Sequence, residues 1–378
     1  MKFLFTTESY PPVICGVSNV TKNICERLVS RGHTVTVATS KCGRDYSFLE
    51  NVEIKEFDIT GNIVTGYNGN TRDYIDFVIN FECDVLVCEC TQIWSTDLLL
   101  PNLEQALAKI KILHSHDFSV MKIKPKNPFS RIKWIWYYWK LSKLIWKFDR
   151  VFILNEQLKD AEYLSKISYS HVDVIPNGVD AGFFEPSLPI QIDKVKEKYG
   201  VRPHKKIFIS ISNYSDLKNQ SFVLNAFLHS EVDADLIFIG RELNYYAYQL
   251  IDKYNSKHQR CLPKNVHFLA GLSRQEIKDL LWGSDVFLHG SKCEALPLVI
   301  CESIATKTPF ISTDVGCIKS FSSGVVVGSE EAMIKQIRKI NELKYYDELK
   351  MNCQNERKLF CWETILDKIE GILTSMKK

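Results

Sequence analysis

Apolar residues along the chain gather into short continuous runs, and the stretches between them carry helical spacing. Residues 2–6 read as a buried strand, followed by a loop that holds Pro11, Pro12 and Gly16. Val20, Ile24 and Leu28 then recur at helical spacing, with Ser18 or Asn19 placed to cap that helix and Gly32 to close it. Residues 34–38 form the next apolar run. Strand, loop, helix and strand make a βαβ unit, which predicts a parallel sheet. Runs at 84–88, 110–113 and 151–154 continue the pattern. It restarts after Asn177-Gly178, a turn signal, with runs at 206–210, 236–239, 266–269, 286–288 and 309–312. The expectation is two α/β domains, 1–180 and 181–355, and a closing segment, 356–378, that ends in an amphipathic helix.

Composition adds limits. A chain of 378 residues fits two domains. With 45% hydrophobic and 25% charged residues it belongs among soluble globular proteins. A net charge of +3 argues against a dedicated nucleic-acid binder. The charge is uneven, however: residues 121–150 hold nine Lys or Arg and one acid, which marks a partner surface. Twelve cysteines are scattered among apolar runs without a CxxC pair. Cys88-Glu89-Cys90, the closest pair, sits at period 2 at a strand end, so buried free thiols are expected rather than zinc ligands. The apolar start of the chain is too short for a signal peptide, and no run reaches the roughly 18 apolar residues of a spanning helix. The expected location is cytoplasmic, with the inner face of the cell membrane as a docking place.

That docking rests on residues 131–148, which can be drawn as a helix. Trp134, Tyr138, Leu141, Ile145 and Phe148 form one stripe, Lys133, Lys140, Lys143 and Lys147 lie nearly opposite, and Ile135, Trp139 and Trp146 line the border. An apolar face, a lysine face and boundary tryptophans suit a membrane interface. Lys122, Lys124 and Lys126 would extend the basic side. The plainer reading is a domain helix packed on its sheet.

The densest chemistry lies at 292–316. Glu294 and Glu302 are separated by seven residues, and Pro297-Leu298-Val299 between them opens a helix. A ligand across that helix start would meet two carboxylates, which bind sugar hydroxyls, and free backbone amides, which suit a phosphate. On spacing alone, two solvated acids near a helix start are the favoured reading.

These residues resemble the Glu–seven–Glu signature of the family 4 retaining glycosyltransferases, which have the GT-B architecture. Other segments resemble the same family in the same order: Tyr10-Pro11-Pro12 with Gly16, Arg31-Gly32-His33-Thr34-Val35, Asp149-Arg150-Val151, Ile175-Pro176-Asn177-Gly178-Val179-Asp180, Lys218-Asn219 and Phe360-Cys361-Trp362-Glu363. The resemblance implies two Rossmann-like parallel-sheet domains facing a cleft, with a C-terminal helix that crosses back to the N-terminal domain. It implies transfer of a sugar from a UDP- or GDP-type donor to a glycan or lipid-linked acceptor in surface polysaccharide or lipopolysaccharide assembly. Glu302 would hold the nucleotide ribose, and Glu294, with backbone amides from Ala295, Leu296, Pro297 and Leu298, the donor sugar. Lys218 would neutralise the diphosphate beside Gly16, and His116 would face the donor sugar and acceptor, with His114 as the rival histidine. No metal or other cofactor is implied, and no nucleic acid partner.

The sequence departs from the family in places. Cys15-Gly16 stands for Gly-Gly, and Ser212-Asn213 for Gly-Arg, which puts Asn213 at the donor site without that cation unless Arg241 reaches in. Lys307 replaces a helix-closing glycine. Asp233-Ala234-Asp235 looks like a metal-binding DxD but leads straight into a strand, so it is expected to be a solvated strand start. A nucleotide-sugar epimerase and a non-catalytic sugar-nucleotide-binding protein are the rival functions. A dinucleotide oxidoreductase is disfavoured, since 12–17 holds one glycine where GxGxxG would need three.

Overall fold

The computed structural model describes residues 1–13, 15–44, 48–118, 128–202, 204–258 and 265–376. The chain divides into two compact units, Met1–Pro176 with Leu366–Lys378, and Asn177–Ile365.

The first unit is built on β1 (Lys2–Thr6), β2 (Thr34–Ser40), β3 (Phe48–Leu49), β4 (Val52–Phe57), β7 (Val85–Glu89), β8 (Ile110–His114), β9 (Arg150–Ile153) and β10 (Val172–Val174), in sheet order β10-β9-β8-β7-β1-β2-β4-β3. Every neighbouring pair is parallel except β3 with β4. β5 (Ile59–Asn62) and β6 (Gly66–Gly69) form a separate hairpin. Covering helices are α1 (Gly16–Ser30), α2 (Thr71–Ile79), α3 (Pro128–Leu144) and α4 (Lys159–Lys166). Helices on both faces explain why the central strands read as unbroken apolar runs. Tyr74, Trp94, Leu113, Phe118, Leu141 and Ile145 pack into one core, each 2% exposed or less. Burying such a side chain contributes roughly 1.5–3 kcal/mol.

The second unit holds β11 (Lys206–Ile211), β12 (Ala234–Gly240), β13 (Asn265–Ala270), β14 (Val286–His289), β15 (Phe310–Thr313) and β16 (Gly324–Val327), all parallel, in the order β13-β12-β11-β14-β15-β16. Its helices are α5 (Pro189–Lys198), α6 (Gln220–His229), α7 (Tyr245–His258), α8 (Arg274–Trp282), α9 (Leu298–Ala305), α10 (Glu330–Lys339) and α11 (Leu343–Glu356). Phe208, Phe227 and Phe238 centre its core. The last helix, α12 (Trp362–Met376), begins in this unit, where Trp362 packs under Gly178. From Leu366 onward it belongs to the first unit, where Arg31 and His33 bind Glu370 at 2.6 and 2.7 Å. No described helix is long and apolar enough to cross a membrane.

Several local expectations differ from the structure. α1 starts at Gly16, capped by Cys15 rather than by Ser18 or Asn19, because the Ser18 hydroxyl is turned back to the Val13 carbonyl at 2.7 Å. Pro297 is the residue before α9 rather than inside it. Asp235 is not solvated: it is fully buried and bound to Arg202, with His267 at 3.4 Å. Asp233 is held by Arg202 and Lys205, so both acids serve as structural anions at a strand start. All eleven cysteines of the described residues are free.

The basic aromatic helix is more apolar than drawn. The helix ends at Leu144, and Ile145–Lys147 form a short 3-10 turn. Tyr137, left off the expected stripe, is buried beside Leu141, while Trp134 and Tyr138 are half-buried. Phe129, Ile132, Ile135, Trp136 and Trp139 are exposed, so both faces carry apolar side chains. The expected lysine face is split: Lys133 donates to the Val64 carbonyl, and Lys147 is tied to the Pro101 carbonyl and Glu104. Lys140 lies over Trp136, Lys143 over Trp139, and Trp146 is exposed on the 3-10 turn. Lys122, Lys124 and Lys126 lie outside the described residues.

Candidate functional site

In parallel α/β sheets, ligands bind beyond the carboxyl ends of the strands. Each unit places its expected chemistry there.

In the second unit, β14 ends at His289 and the chain runs through Gly290–Pro297 into α9. Gly290 lets this loop pass close to the start of α6, where an added Cβ would come within 2.9 Å of the Asn219 carbonyl. The passage brings Lys218 of the β11–α6 loop onto Glu294, and the two form an ion pair. The Ser291 hydroxyl donates to the same carboxylate oxygen at 2.9 Å, and His289 Nε2 lies 3.8 Å away. Burial pushes the Glu294 carboxyl up, but His289 and Lys218 outweigh it and hold it at about 2, so Glu294 is ionised. The rest of the loop is tied from behind. Asn177 donates to the Leu296 carbonyl at 2.9 Å and the Cys317 amide to that of Ala295 at 3.1 Å. Gly316 has φ +56 and an added Cβ would collide with Ala295 at 1.8 Å, so only glycine closes the loop. The Ile300 amide is taken by the Pro297 carbonyl at 3.1 Å, and the Leu298 and Val299 amides ahead of it, which precede any helical acceptor, form a local positive end.

Glu302 lies one turn inside α9 and is 3% exposed. Arg274, the first residue of α8, donates to its Oε1 at 2.7 Å and reaches Asp180 at 3.4 Å, with its guanidinium over the Phe183 ring. Burial raises the Glu302 carboxyl above the usual range, with Arg274 opposing. Glu302 Oε2 is buried with no hydrogen-bond partner among the described residues. Leaving such an oxygen unpaired costs about 1–3 kcal/mol, which a ligand hydroxyl would recover. Asn213 is exposed in the loop after β11, and its carbonyl is held by Gln220 at 3.0 Å. Arg241, at the end of β12, is exposed.

In the first unit, Gly16 opens α1 after the β1 loop, and an added Cβ there would meet nothing within 4 Å. Packing therefore does not demand glycine at this position. β7 ends at Glu89 and β8 at His114, directly opposite each other in register. Glu89 is fully buried, and its Oε2 lies 3.1 Å from His114 Nδ1 and 2.6 Å from His116 Nε2. Burial pushes the Glu89 carboxyl up, yet the two histidines bring it down to about 2. Burial and His114 together lower His116 below its ordinary value. The three side chains have the makeup of a metal-ligand set, with ligand atoms within 4.8 Å of one another.

Cys90, Gln92, His116 and Asp117 all adopt left-handed backbone, with φ from +52 to +74. Such residues cost of order 1–3 kcal/mol each and persist where their surroundings impose them. Asp117 Oδ1 accepts from the amides of Phe118, Lys159 and Asp160, and Asp160 accepts from Ser115 and from the Asp117 amide. The His116 loop is thereby clamped to the start of α4.

Lys218 and Glu294 are in direct contact, while Glu302 stands on α9, beyond the loop that carries Glu294, with a separate cation. Gly16 and His116 belong to the other unit. Four participants were missed in the sequence. Arg274 and His289 are separated from their acids in the chain and carry no local signal. Ser291 was passed over as a loop residue. Glu89 did offer a sign: an acid between two cysteines inside an apolar strand, where burial demands a partner.

Comparison with known proteins gives the family and the fold. The model for "Glycosyltransferase Family 4" matches residues 14–183, and that for "Glycosyl transferases group 1" matches residues 191–359. The chain is 22% identical over 335 residues to the phosphatidylinositol N-acetylglucosaminyltransferase GPI3 subunit of Saccharomyces cerevisiae, a match covering 81% of the chain and 66% of that protein. It is 25% identical over 241 residues to the Escherichia coli UDP-Gal:alpha-D-GlcNAc-diphosphoundecaprenol alpha-1,3-galactosyltransferase, covering 57% of the chain and 60% of that protein. The chain thus spans under two thirds of the length of these relatives. Among solved structures, Anabaena HepE in complex with UDP superposes with a TM-score of 0.73 at 18% identity, over 99% of this chain and 100% of that one. Two family models in succession account for most of the sequence, and the chain belongs to the family 4 glycosyltransferases, with their two-sheet GT-B fold.

Proposed function

We propose that this protein is a retaining, metal-independent glycosyltransferase that moves a sugar from a UDP- or GDP-type donor to a glycan or lipid-linked acceptor in surface polysaccharide or lipopolysaccharide assembly. One observation carries the reading: Glu302 presents a buried carboxylate oxygen, unpartnered among the described residues, on the helix that follows the loop carrying Glu294 and its Lys218 partner. A ribose hydroxyl would satisfy that oxygen. The amides of Ala295, Leu296 and Leu298, with the turn at Pro297, would meet the sugar and the phosphate beside it, and Asn213 lines the donor loop. Lys218 exchanges its Glu294 contact for the diphosphate, and Glu294 turns to a sugar hydroxyl. The developing negative charge on the leaving diphosphate is then stabilised by Lys218 and the α9 amides. By the family resemblance, Gly16 would serve the phosphates and His116 the sugar. Retention follows when the acceptor hydroxyl attacks from the face the diphosphate leaves.

The relatives support this reading. The Escherichia coli protein is named for a UDP-galactose donor and a diphosphoundecaprenol-linked acceptor, the yeast protein for a phosphatidylinositol acceptor, and the Anabaena structure holds UDP. Lipid-linked acceptors in turn suit the exposed apolar face of α3 with Lys140 and Lys143 beside it, as a surface resting on the inner face of the cell membrane.

Transfer assays with UDP- and GDP-sugars test the site. Glu302→Ala and Lys218→Ala are each expected to lose most activity while keeping the wild-type melting temperature. Near-normal turnover in both would refute the assignment.

A further inference from the structure

We propose that Glu294 sets the ligand specificity of the donor site: it holds Lys218 and yields it only to a ligand that brings a hydroxyl as well as a diphosphate. The site thereby prefers a nucleotide sugar to the bare nucleoside diphosphate. This rests on the reading that Lys218 takes the diphosphate and Glu294 the sugar.

The ion pair is not what joins its two loops. The Lys292 amide donates to the Leu217 carbonyl at 2.9 Å, and Lys292 Nζ reaches Asp216 at 2.7 Å. The Lys218 amide is held by the Ser215 carbonyl at 3.1 Å. The backbone on both sides is fastened without the pair, so the pair can part by side-chain rotation alone. A lysine stem is flexible and can swing from one anion to another.

Parting is harder on the carboxylate than on the ammonium. The Glu294 side chain is 14% exposed, against 28% for Lys218. Three polar groups converge on Glu294 Oε1: Lys218, the Ser291 hydroxyl at 2.9 Å and His289 Nε2 at 3.8 Å. Burial pushes this carboxyl up, yet His289 and Lys218 bring it down to about 2, so it carries its charge. A diphosphate that draws Lys218 away leaves a largely buried carboxylate without its cation and beside a second anion. Removing one partner of such a pair is strongly unfavourable. An ionised carboxylate only accepts hydrogen bonds, so a sugar hydroxyl can supply the missing donor. The terminal phosphate of a nucleoside diphosphate supplies none. Once the sugar has been transferred, Lys218 returns to Glu294 and the diphosphate loses its cation, which favours release of the product.

Calorimetric titration of the full chain tests this with UDP, GDP, UDP-glucose, UDP-N-acetylglucosamine and GDP-mannose. In the wild type a sugar nucleotide should bind about tenfold more tightly than its own nucleoside diphosphate, the effect of one hydrogen bond to a charged group. Glu294→Gln keeps the shape of the side chain and removes its charge. It should bind the nucleoside diphosphate about tenfold more tightly than the wild type does, gain nothing for the sugar nucleotide, and so lose the preference. A pair that merely braces Lys218 predicts the reverse, weaker binding of the diphosphate by Glu294→Gln. That result, or unchanged affinity, overturns the proposal. An equal gain for both ligands also overturns it, since plain repulsion between Glu294 and the phosphates acts on both. Equal wild-type affinity for each diphosphate and its sugar nucleotides overturns it even where the variant does not fold. In all these cases the donor reading stands. If no nucleotide binds, with or without a sugar, the donor reading fails and the proposal with it.

Discussion

Lys307 shows what a single residue carries across from sequence to structure. It follows α9 with φ +59, a left-handed conformation that costs a residue with a Cβ about 1–2 kcal/mol and glycine nothing. Lys307→Gly also loosens the unfolded chain, at about 0.4–1 kcal/mol. The net expectation is stabilisation by about 0.5–1 kcal/mol, seen as a higher urea midpoint; a lower midpoint would contradict the strain. The sequence exposed this position because the family resemblance puts glycine there. It did not expose Arg274, because a pair separated by 28 residues leaves no spacing to read. Nor did it show that Lys218 and Glu294 already touch, since their meeting depends on Gly290 and on strand order.

At the scale of elements, every apolar run assigned as a strand is one, because parallel strands buried on both faces leave a strong signal. β3, β4, β10, β16 and the hairpin β5–β6 escaped notice, being short or only partly buried. The α3 helix misled most. Apolar residues on both faces blur helical periodicity, and only the packing shows which aromatics turn inward. Its exposed side predicts binding to vesicles containing anionic lipid. Trp136→Ser/Trp139→Ser combined with Lys140→Gln/Lys143→Gln should lose co-sedimentation, and equal binding by the wild type would dismiss the surface. Its inner side predicts a pH effect. The Tyr137 hydroxyl donates to Asp97 at 2.6 Å. Burial pushes Asp97 up to about 7, against hydrogen bonds from Tyr137 and Gln92 and the charge of Lys140. Between pH ~4 and ~7 the folded state keeps a proton that the unfolded chain has lost, so this group's contribution to stability falls as pH rises through that window. Asp97→Asn should remove that fall. Relative to the variant, the wild type should be less stable at pH 8 than at pH 5 in urea titrations; a constant difference would show that Asp97 is not held protonated.

For the whole molecule, two α/β halves and a last helix that returns to the first unit were legible from the strand pattern and the resemblance together. The chemistry divides the same way. Lys218–Glu294 and Arg274–Glu302 are two ion pairs in one unit, with Glu302 Oε2 unpartnered among the described residues, and Glu89 is bound by His114 and His116 in the other. Calorimetric titration of UDP and GDP into wild type and Glu302→Ala tests the central claim most directly. The wild type should bind one of them, and the variant should bind it about 10- to 100-fold more weakly, the loss of a hydrogen bond to a charged group. Equal affinity in the two proteins, or no binding of either nucleotide by the wild type, would contradict it.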